Sequence, residues 1–323
     1  MVGHFKCPLI VLVLIGDENH SRKIVFNMHG GLRIAGAVPR RSLPGMPLVT
    51  IVTVVFNGAA HIEQAITSVL AQDYRNVEYL VIDGGSTDST LEIINSYADR
   101  IDYWLSEPDR GIYDAMNKGL RLAQGELIGL LNADDFYEPD AVGKVVARYL
   151  EQGLPAIYYG DNLILQDDLR LTYLNRASLR YWLGMTIYHQ AMFVHCEVYR
   201  ELNGYRTDYR FAGDYEFLLR AVAAEVPLVC VEGCLVTYRN TGLTSRHYSA
   251  SLAEAKQINR IYFGRFSRRH AAYLAGYYRT LALHTLEKLV LKVCGRPTLD
   301  RLRTFYLLKV LGKSGDVVIE QGR

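Results

Sequence analysis

Leu127-Ile128-Gly129-Leu130-Leu131-Asn132-Ala133-Asp134-Asp135 is an apolar run that ends on two adjacent carboxylic acids. Such a run reads as a strand buried on both faces of a parallel sheet. A second stretch, Val81-Ile82-Asp83-Gly84-Gly85-Ser86-Thr87-Asp88, also passes from apolar to acidic. In an open α/β sheet, ligands bind outside the carboxyl ends of the strands. Acids at those ends face a ligand and do not serve the core. Adjacent carboxylates repel, and they stay ionised together beside a cation or in water. A divalent ion that shares the oxygens of a substrate diphosphate supplies such a cation. The two strand ends therefore hint at a metal–nucleotide site.

Outward from these strands, residues 48–56 are β-branched and apolar, and read as a central strand. Residues 60–71 have helical spacing, with Ile62, Ala65, Ile66, Val69 and Leu70 on one face. Strand 77–82 follows, then a helix capped by Asp88-Ser89. A short strand at 101–105, a helix at 112–123 and the strand at 127–131 come next. A helix at 139–150 carries Pro139 in its first turn. This alternation argues for an α/β fold with a mostly parallel, doubly wound, Rossmann-like sheet. After Gly153 the pattern changes to strands at 156–160, 161–165, 171–173 and 188–194, a short helix at 197–202, a helix at 212–225 and a strand at 226–238. From residue 250 the chain reads as helical. We divide it into a leader (1–47) of extra strand and linker, a catalytic-type domain (48–249) and a basic amphipathic extension (250–323).

The chain has 323 residues, half of them hydrophobic, enough for a substantial core. Its net charge of +2 gives no global nucleic-acid character. The five cysteines match no zinc spacing, and Cys230 and Cys234 read as buried free thiols in a reducing cytoplasm. The apolar stretch 7–15 is too short to span a bilayer and lacks the flanks of a signal peptide. It reads as a strand, with a weak membrane-touching segment as the alternative.

Val55, Phe56 and Asn57 close the first central strand, and Phe56 at the mouth of the sheet suits stacking on a base. A core role for Phe56 stays open. Asp83 reads either as a turn former or as an acceptor for base or ribose, with Gly84 allowing close approach of a ligand. No Gly-Lys-Ser/Thr follows, so this is no P-loop. Asp134 and Asp135 read as a solvated acidic turn or as hard oxygens offered to Mg²⁺ or Mn²⁺. Asp214 opens a helix, as a cap or as a general base. His189 reads as a structural histidine. Loop 241–247 reads either as a plain connecting loop or as one that folds over a diphosphate, with Arg246 as its charge partner.

Taken together, Thr50-Ile51-Val52-Thr53-Val54-Val55-Phe56-Asn57, the segment from Val81 to Asp88, Asp109-Arg110-Gly111-Ile112-Tyr113-Asp114-Ala115-Met116-Asn117-Lys118-Gly119, Asn132-Ala133-Asp134-Asp135 and Gly213-Asp214-Tyr215-Glu216 resemble family 2 glycosyltransferases of the GT-A fold. The resemblance runs from residue 48 to about residue 246. It implies inverting sugar transfer from a nucleotide-sugar donor, with Mn²⁺ or Mg²⁺ as cofactor. Phe56 matches the base-stacking position, Asp83 the first acid of the second strand end, Asp134 and Asp135 the ribose- and metal-binding acids, and Asp214 the catalytic base. Two positions depart from the common pattern. Gly84 stands where many members carry an acid that reads uracil, and Asn132 replaces a frequent first Asp. The subgroup resembles bacterial enzymes of O-antigen, capsule or exopolysaccharide synthesis, whose acceptor is a saccharide, often lipid-linked.

The extension interleaves Arg and Lys with Tyr, Phe and Leu, for example Arg268, Arg269, Tyr277, Tyr278, Lys288, Arg301, Phe305 and Tyr306. It reads as helices with a solvated basic face, or as a surface that docks on anionic lipid. The second reading places the protein peripherally on the inner face of the cell membrane. No motif supports nucleic-acid binding. Two other functions compete: a nucleotidyltransferase on a related sheet, which would need a basic Gly-rich loop after the first strand, and an inactive membrane-docked binding protein.

Overall fold

The computed structural model describes residues 9–16, 22–169, 171–240, 247–306 and 317–318. The elements in chain order are β1 (Leu9–Gly16), β2 (Arg22–Gly30), β3 (Val49–Val55), α1 (Ile62–Leu70), β4 (Val77–Asp83), α2 (Thr90–Ser96), β5 (Tyr103–Ser106), α3 (Ile112–Leu122), β6 (Leu127–Asn132), β7 (Phe136–Tyr137) and α4 (Ala141–Gln152). The second half comprises β8 (Ile157–Gln166), β9 (Leu171–Asn175), β10 (Met192–His195), α5 (Cys196–Glu201), α6 (Gly213–Ala223), β11 (Leu228–Arg239), α7 (Tyr248–Phe263), α8 (Arg268–Cys294), α9 (Arg296–Tyr306) and β12 (Val317–Val318).

The described strands form one mixed sheet in the order β1-β2-β5-β4-β3-β6-β10-β8-β11-β7, with β9 and β12 on a side branch. Its centre, β5-β4-β3-β6, is parallel throughout. Successive side chains of a strand point to opposite faces, and β3 shows the consequence. Val49, Ile51 and Val55 pack with α1 and α4 on one face, whereas Val52 and Val54 pack with α3 and α6 on the other. Both faces are covered, which is why these strands read as near-continuous apolar runs. The leader adds a hairpin, β1–β2, that extends the sheet antiparallel to β5.

Four local expectations change. The strand at 188–194 is shorter: residues 189–191 form a 3-10 turn before β10. That turn buries His189 and Gln190 beside the carboxyl end of β6. Cys230 and Cys234 are free, but Cys230 is exposed and Cys234 only partly buried. A register irregularity between them, with Gly233 at φ 92°, twists β11 so that these thiols leave the core. Helix α4 begins at Ala141, after Pro139, and the Gln72 side chain accepts from the Val142 N–H at 3.0 Å. Ahead of α2, Asp88 makes the capping bond, accepting from the Thr90 N–H at 3.0 Å, and the Ser89 side chain makes none.

Helix α7 is built into the fold. Ile258 packs with Ala212, Tyr215 and Leu219 in a small separate core. Beyond it, α8 and α9 expose Leu283, Leu286, Leu289, Val293, Leu302 and Phe305. Among the described residues no helix is long and apolar enough to cross a membrane.

Candidate active site

A cleft of about 1900 Å³ opens at the carboxyl ends of β3, β4 and β6. Its floor is made by the loops after these strands, and its far wall by α8 and α9. The loops are stitched together. The Asn57 N–H donates to Ser86 Oγ at 2.7 Å, and Asn57 Oδ1 accepts from the Thr87 N–H at 2.8 Å. Asn57 has φ 51°, a conformation that asparagine tolerates better than most residues. The Val55 carbonyl accepts from the Gly84 N–H at 2.8 Å. This framework leaves Phe56 62% exposed on the cleft wall, where its ring is free to stack.

Asp83 does not face the cleft. It is buried, and its carboxylate accepts from the Gly85 N–H (3.2 Å), the Ser86 N–H (3.0 Å), Ser86 Oγ (2.5 Å) and Ser106 Oγ (2.6 Å). With four donors converging on it, the group shapes the loop, and the direct acceptor role expected from the sequence gives way to a scaffolding one.

The two acids after β6 also divide. Asp134 lines the cleft. Asp135 is 1% exposed, and its oxygens accept from the Arg239 N–H (2.9 Å), Gln190 Nε2 (2.9 Å) and Asn132 Nδ2 (3.2 Å). Of the two acids expected to ligate a metal, Asp135 is turned inward and Asp134 lines the cleft. Burial raises the pKa of Asp134. Burial, and then the charge of Asp134, push Asp135 well above the usual carboxylate range. The pair is thus short of positive charge, and a divalent cation would relieve that shortage. Gln190 Oε1, buried beside the pair and without a hydrogen-bond partner among the described residues, is one further hard oxygen. Among the described residues no three His, Cys, Asp or Glu side chains form a cage. The donor set suits an ion that keeps waters and shares substrate phosphates.

Asp214 lines the same cleft at the start of α6. Its Oδ1 accepts from Tyr113 Oη at 3.3 Å and from the Tyr215 N–H at 2.8 Å. Its Oδ2 lies 3.1 Å from His189 Nδ1. A carboxylate only accepts, so Nδ1 carries the hydrogen. His189 Nε2 lies 3.4 Å from Asn132 Oδ1. A chain of contacts thereby joins the inward acid Asp135 to Asp214 through Asn132 and His189. Asn132 accounts for its own departure from the family pattern: its amide donates to Asp135, where an aspartate would add a third negative charge. The start of α6 is fixed from outside by Glu254 of α7, whose carboxylate accepts from the N–H groups of Arg210 (2.9 Å), Phe211 (2.8 Å) and Ala212 (2.9 Å). A side chain at Gly213 would collide with the Tyr113 ring at 2.8 Å. Arg246 lies outside the described residues.

The family model for glycosyl transferase family 2 matches residues 50–202. An uncharacterized glycosyltransferase of Mycobacterium tuberculosis is 35% identical over 244 residues, spanning 71% of this chain and 91% of that protein. The chain belongs to glycosyltransferase family 2. Another relative, the PGL/p-HBAD biosynthesis glycosyltransferase of Mycobacterium bovis BCG, is 32% identical over 181 residues, 54% of this chain and 69% of its own. Among solved structures, the mannosyltransferase PcManGT of Pyrobaculum calidifontis, in complex with GDP-Man and Mn²⁺, matches with a TM-score of 0.51 at 18% identity, over 87% of this chain and 92% of that one. Residues 1–349 of S. aureus TarS match with a TM-score of 0.50 at 14% identity, over 72% of each chain. These likenesses are of fold, the GT-A fold.

In this family 2 chain, sequence reading passed over His61 and Tyr113 and gave His189 a plain structural role, although all three line the cleft. Tyr113 sits inside a quoted motif, but only the fold brings it to Asp214. His61 follows a turn and carries no local signal of its place near Asp134.

Proposed function

We propose that the protein is a metal-dependent, inverting glycosyltransferase that moves a sugar from a nucleoside-diphosphate sugar to a hydroxyl of a saccharide acceptor carried on a lipid. The observation that carries this reading is that Asp134 and Asp214 line one cleft, with Asp214 held there by Tyr113 and His189.

In this reading the donor's base stacks on Phe56 and its diphosphate lies over the loop after β6. Asp134 would hold the divalent ion, with Gln190 Oε1 nearby. That ion would supply Lewis-acid neutralisation of the leaving diphosphate. Asp214 takes the proton of the acceptor hydroxyl as the oxygen attacks the anomeric carbon from the face opposite the leaving group. One bond forms as the other breaks, so the configuration inverts and no sugar is attached to the enzyme. Tyr113, His189 and the Tyr215 N–H aim the base, and the rate gain comes from this positioning. The mannosyltransferase bound to GDP-Man and Mn²⁺ supports the donor and metal classes. The M. bovis relative, by name a PGL/p-HBAD biosynthesis glycosyltransferase, supports sugar transfer within a biosynthetic pathway. The exposed apolar and basic faces of α8 and α9, on the cleft's far wall, suit approach to an anionic membrane surface at the inner face of the cell. Cell-surface polysaccharide or glycolipid assembly follows as the pathway class.

The test is a screen of nucleotide-sugars with Mn²⁺ and membrane-extracted acceptor lipids, read by proton NMR of the product. A new glycosidic bond of inverted configuration is expected. A retained configuration, or transfer that proceeds undiminished in excess chelator, would overturn the mechanism.

A further inference from the structure

The structure assigns to Asp109 the reading of the nucleotide's base, a role resting on the nucleotide-sugar function proposed above. Asp109 lies in the loop between β5 and α3. Its Oδ1 accepts from the Gly111 N–H at 2.8 Å, which fixes the carboxylate in a tight turn. Its Oδ2 has no hydrogen-bond partner among the described residues, and the residue lines the cleft.

Where Oδ2 points is shown by Gly84. A Cβ built on Gly84 would come 2.3 Å from Asp109 Oδ2 and 3.4 Å from Phe56 Cδ2. Any other residue at position 84 would meet the carboxylate as it stands and force it to shift. Glycine leaves the Asp109 carboxylate undisturbed in this position. The free oxygen and the exposed aromatic ring therefore border the same small volume at the end of β4. Burial raises the pKa of Asp109, consistent with an acid partly withdrawn from water into a wall.

A flat base stacked on Phe56 meets Asp109 with its edge. A carboxylate accepts and does not donate. Uracil, thymine and guanine carry a ring N–H on their pairing edge and can donate to it. Cytosine and adenine present an unprotonated ring nitrogen there, and two lone pairs would face each other. The chemistry selects a nucleoside diphosphate whose base has a ring N–H. It also explains why position 84 carries no acid: the acid arrives from the neighbouring loop.

The experiment is calorimetric titration of the full chain, in Mn²⁺, with UDP, dTDP, GDP, CDP and ADP. The preferred ligand should be one of the first three. A hydrogen bond to a charged group sets its advantage over CDP and ADP at roughly 10- to 100-fold. Asp109→Ala should collapse that ratio to near parity. The double variant Gly84→Asp with Asp109→Ala returns a carboxylate to the same volume from the other side, and should recover the ratio at least in part. A preference for CDP or ADP, an unchanged ratio in Asp109→Ala, or a double variant as indifferent as the single one would overturn the assignment while leaving the nucleotide-sugar reading in place. A wild-type protein that binds none of the five would overturn that reading, and this assignment with it.

Discussion

Replacing His189 tests how much the aim of Asp214 matters. The ring touches Asp214 Oδ2 at 3.1 Å through Nδ1 and Asn132 Oδ1 at 3.4 Å through Nε2. His189→Ala removes one of three donors to the carboxylate and leaves it freer to rotate from the acceptor. A hydrogen bond to a charged group contributes about 1.5–3 kcal/mol, so kcat should fall roughly 10- to 100-fold. The loss should fall mainly on kcat, because the ring donates to Asp214 directly and meets the donor side only through Asn132. Two near-isosteres separate positioning from packing. Asparagine places an amide N–H close to Nδ1 and can still donate to Asp214. Glutamine reaches the Nε2 position and serves Asn132 instead. Steady-state transfer assays should therefore rank wild type above His189→Asn, and His189→Asn above His189→Gln and His189→Ala, with melting curves confirming that all fold. If glutamine rescued as well as asparagine, or if the loss appeared in the donor KM, the contact with Asp214 would not be the one that counts.

Further outcomes follow from the same geometry. Folded-state pKa values raised at Asp134 and Asp135 mean that the folded protein holds protons more firmly than the unfolded chain. Their stability contribution is full below the unfolded carboxylate range and is lost as pH rises through the raised values, so Mn²⁺ with a nucleoside diphosphate should raise the melting temperature more at about pH 8 than at about pH 5.5. Asp134→Asn should abolish that difference in differential scanning fluorimetry. Phe56→Ala removes the stacking face and should weaken nucleotide binding roughly tenfold by calorimetry, across all bases alike. Glu216 is buried, pairs with Arg220 at 3.0 Å and accepts from Tyr262 Oη at 2.7 Å, tying α6 to α7. Glu216→Ala leaves that arginine without its partner and should cost about 3 kcal/mol in urea unfolding; a loss below about 1 kcal/mol would show that water replaces the pair.

The α/β core was legible because β3, β4 and β6 are covered on both faces and so read as continuous apolar runs with acids at their ends. Periodicity located helices α1 to α4 to within a few residues. It missed the 3-10 turn at 189–191, because residues 188–194 carry no Gly, Pro, Asn, Asp or Ser to signal a turn. The outward face of Cys230 was hidden for a related reason: a bulge reverses facing without changing composition. In the site, Phe56, Asp134 and Asp214 do meet in one cleft. Asp83 and Asp135 were indistinguishable from Asp134 and Asp214 by residue type, and what separates the two pairs is burial: Asp83 and Asp135 are enclosed by the donors that converge on them, whereas Asp134 and Asp214 line the cleft. Those donors, among them Ser106, Gln190 and the Arg239 N–H, come from distant segments that no local pattern connects. The same holds for Asp109, whose contact with Gly84 joins two loops.

The central claim is that Asp214 removes the acceptor's proton while Asp134 serves the donor's side of the cleft. Its most direct test is to compare wild type and Asp214→Asn in Mn²⁺, measuring donor affinity by calorimetry and acceptor-dependent release of nucleoside diphosphate by ³¹P NMR. A positioned base accounts for roughly 10²- to 10⁴-fold of rate. The variant should bind donor like the wild type and lose transfer by about that factor; turnover at the wild-type rate, or loss of donor binding in step with activity, would contradict the account.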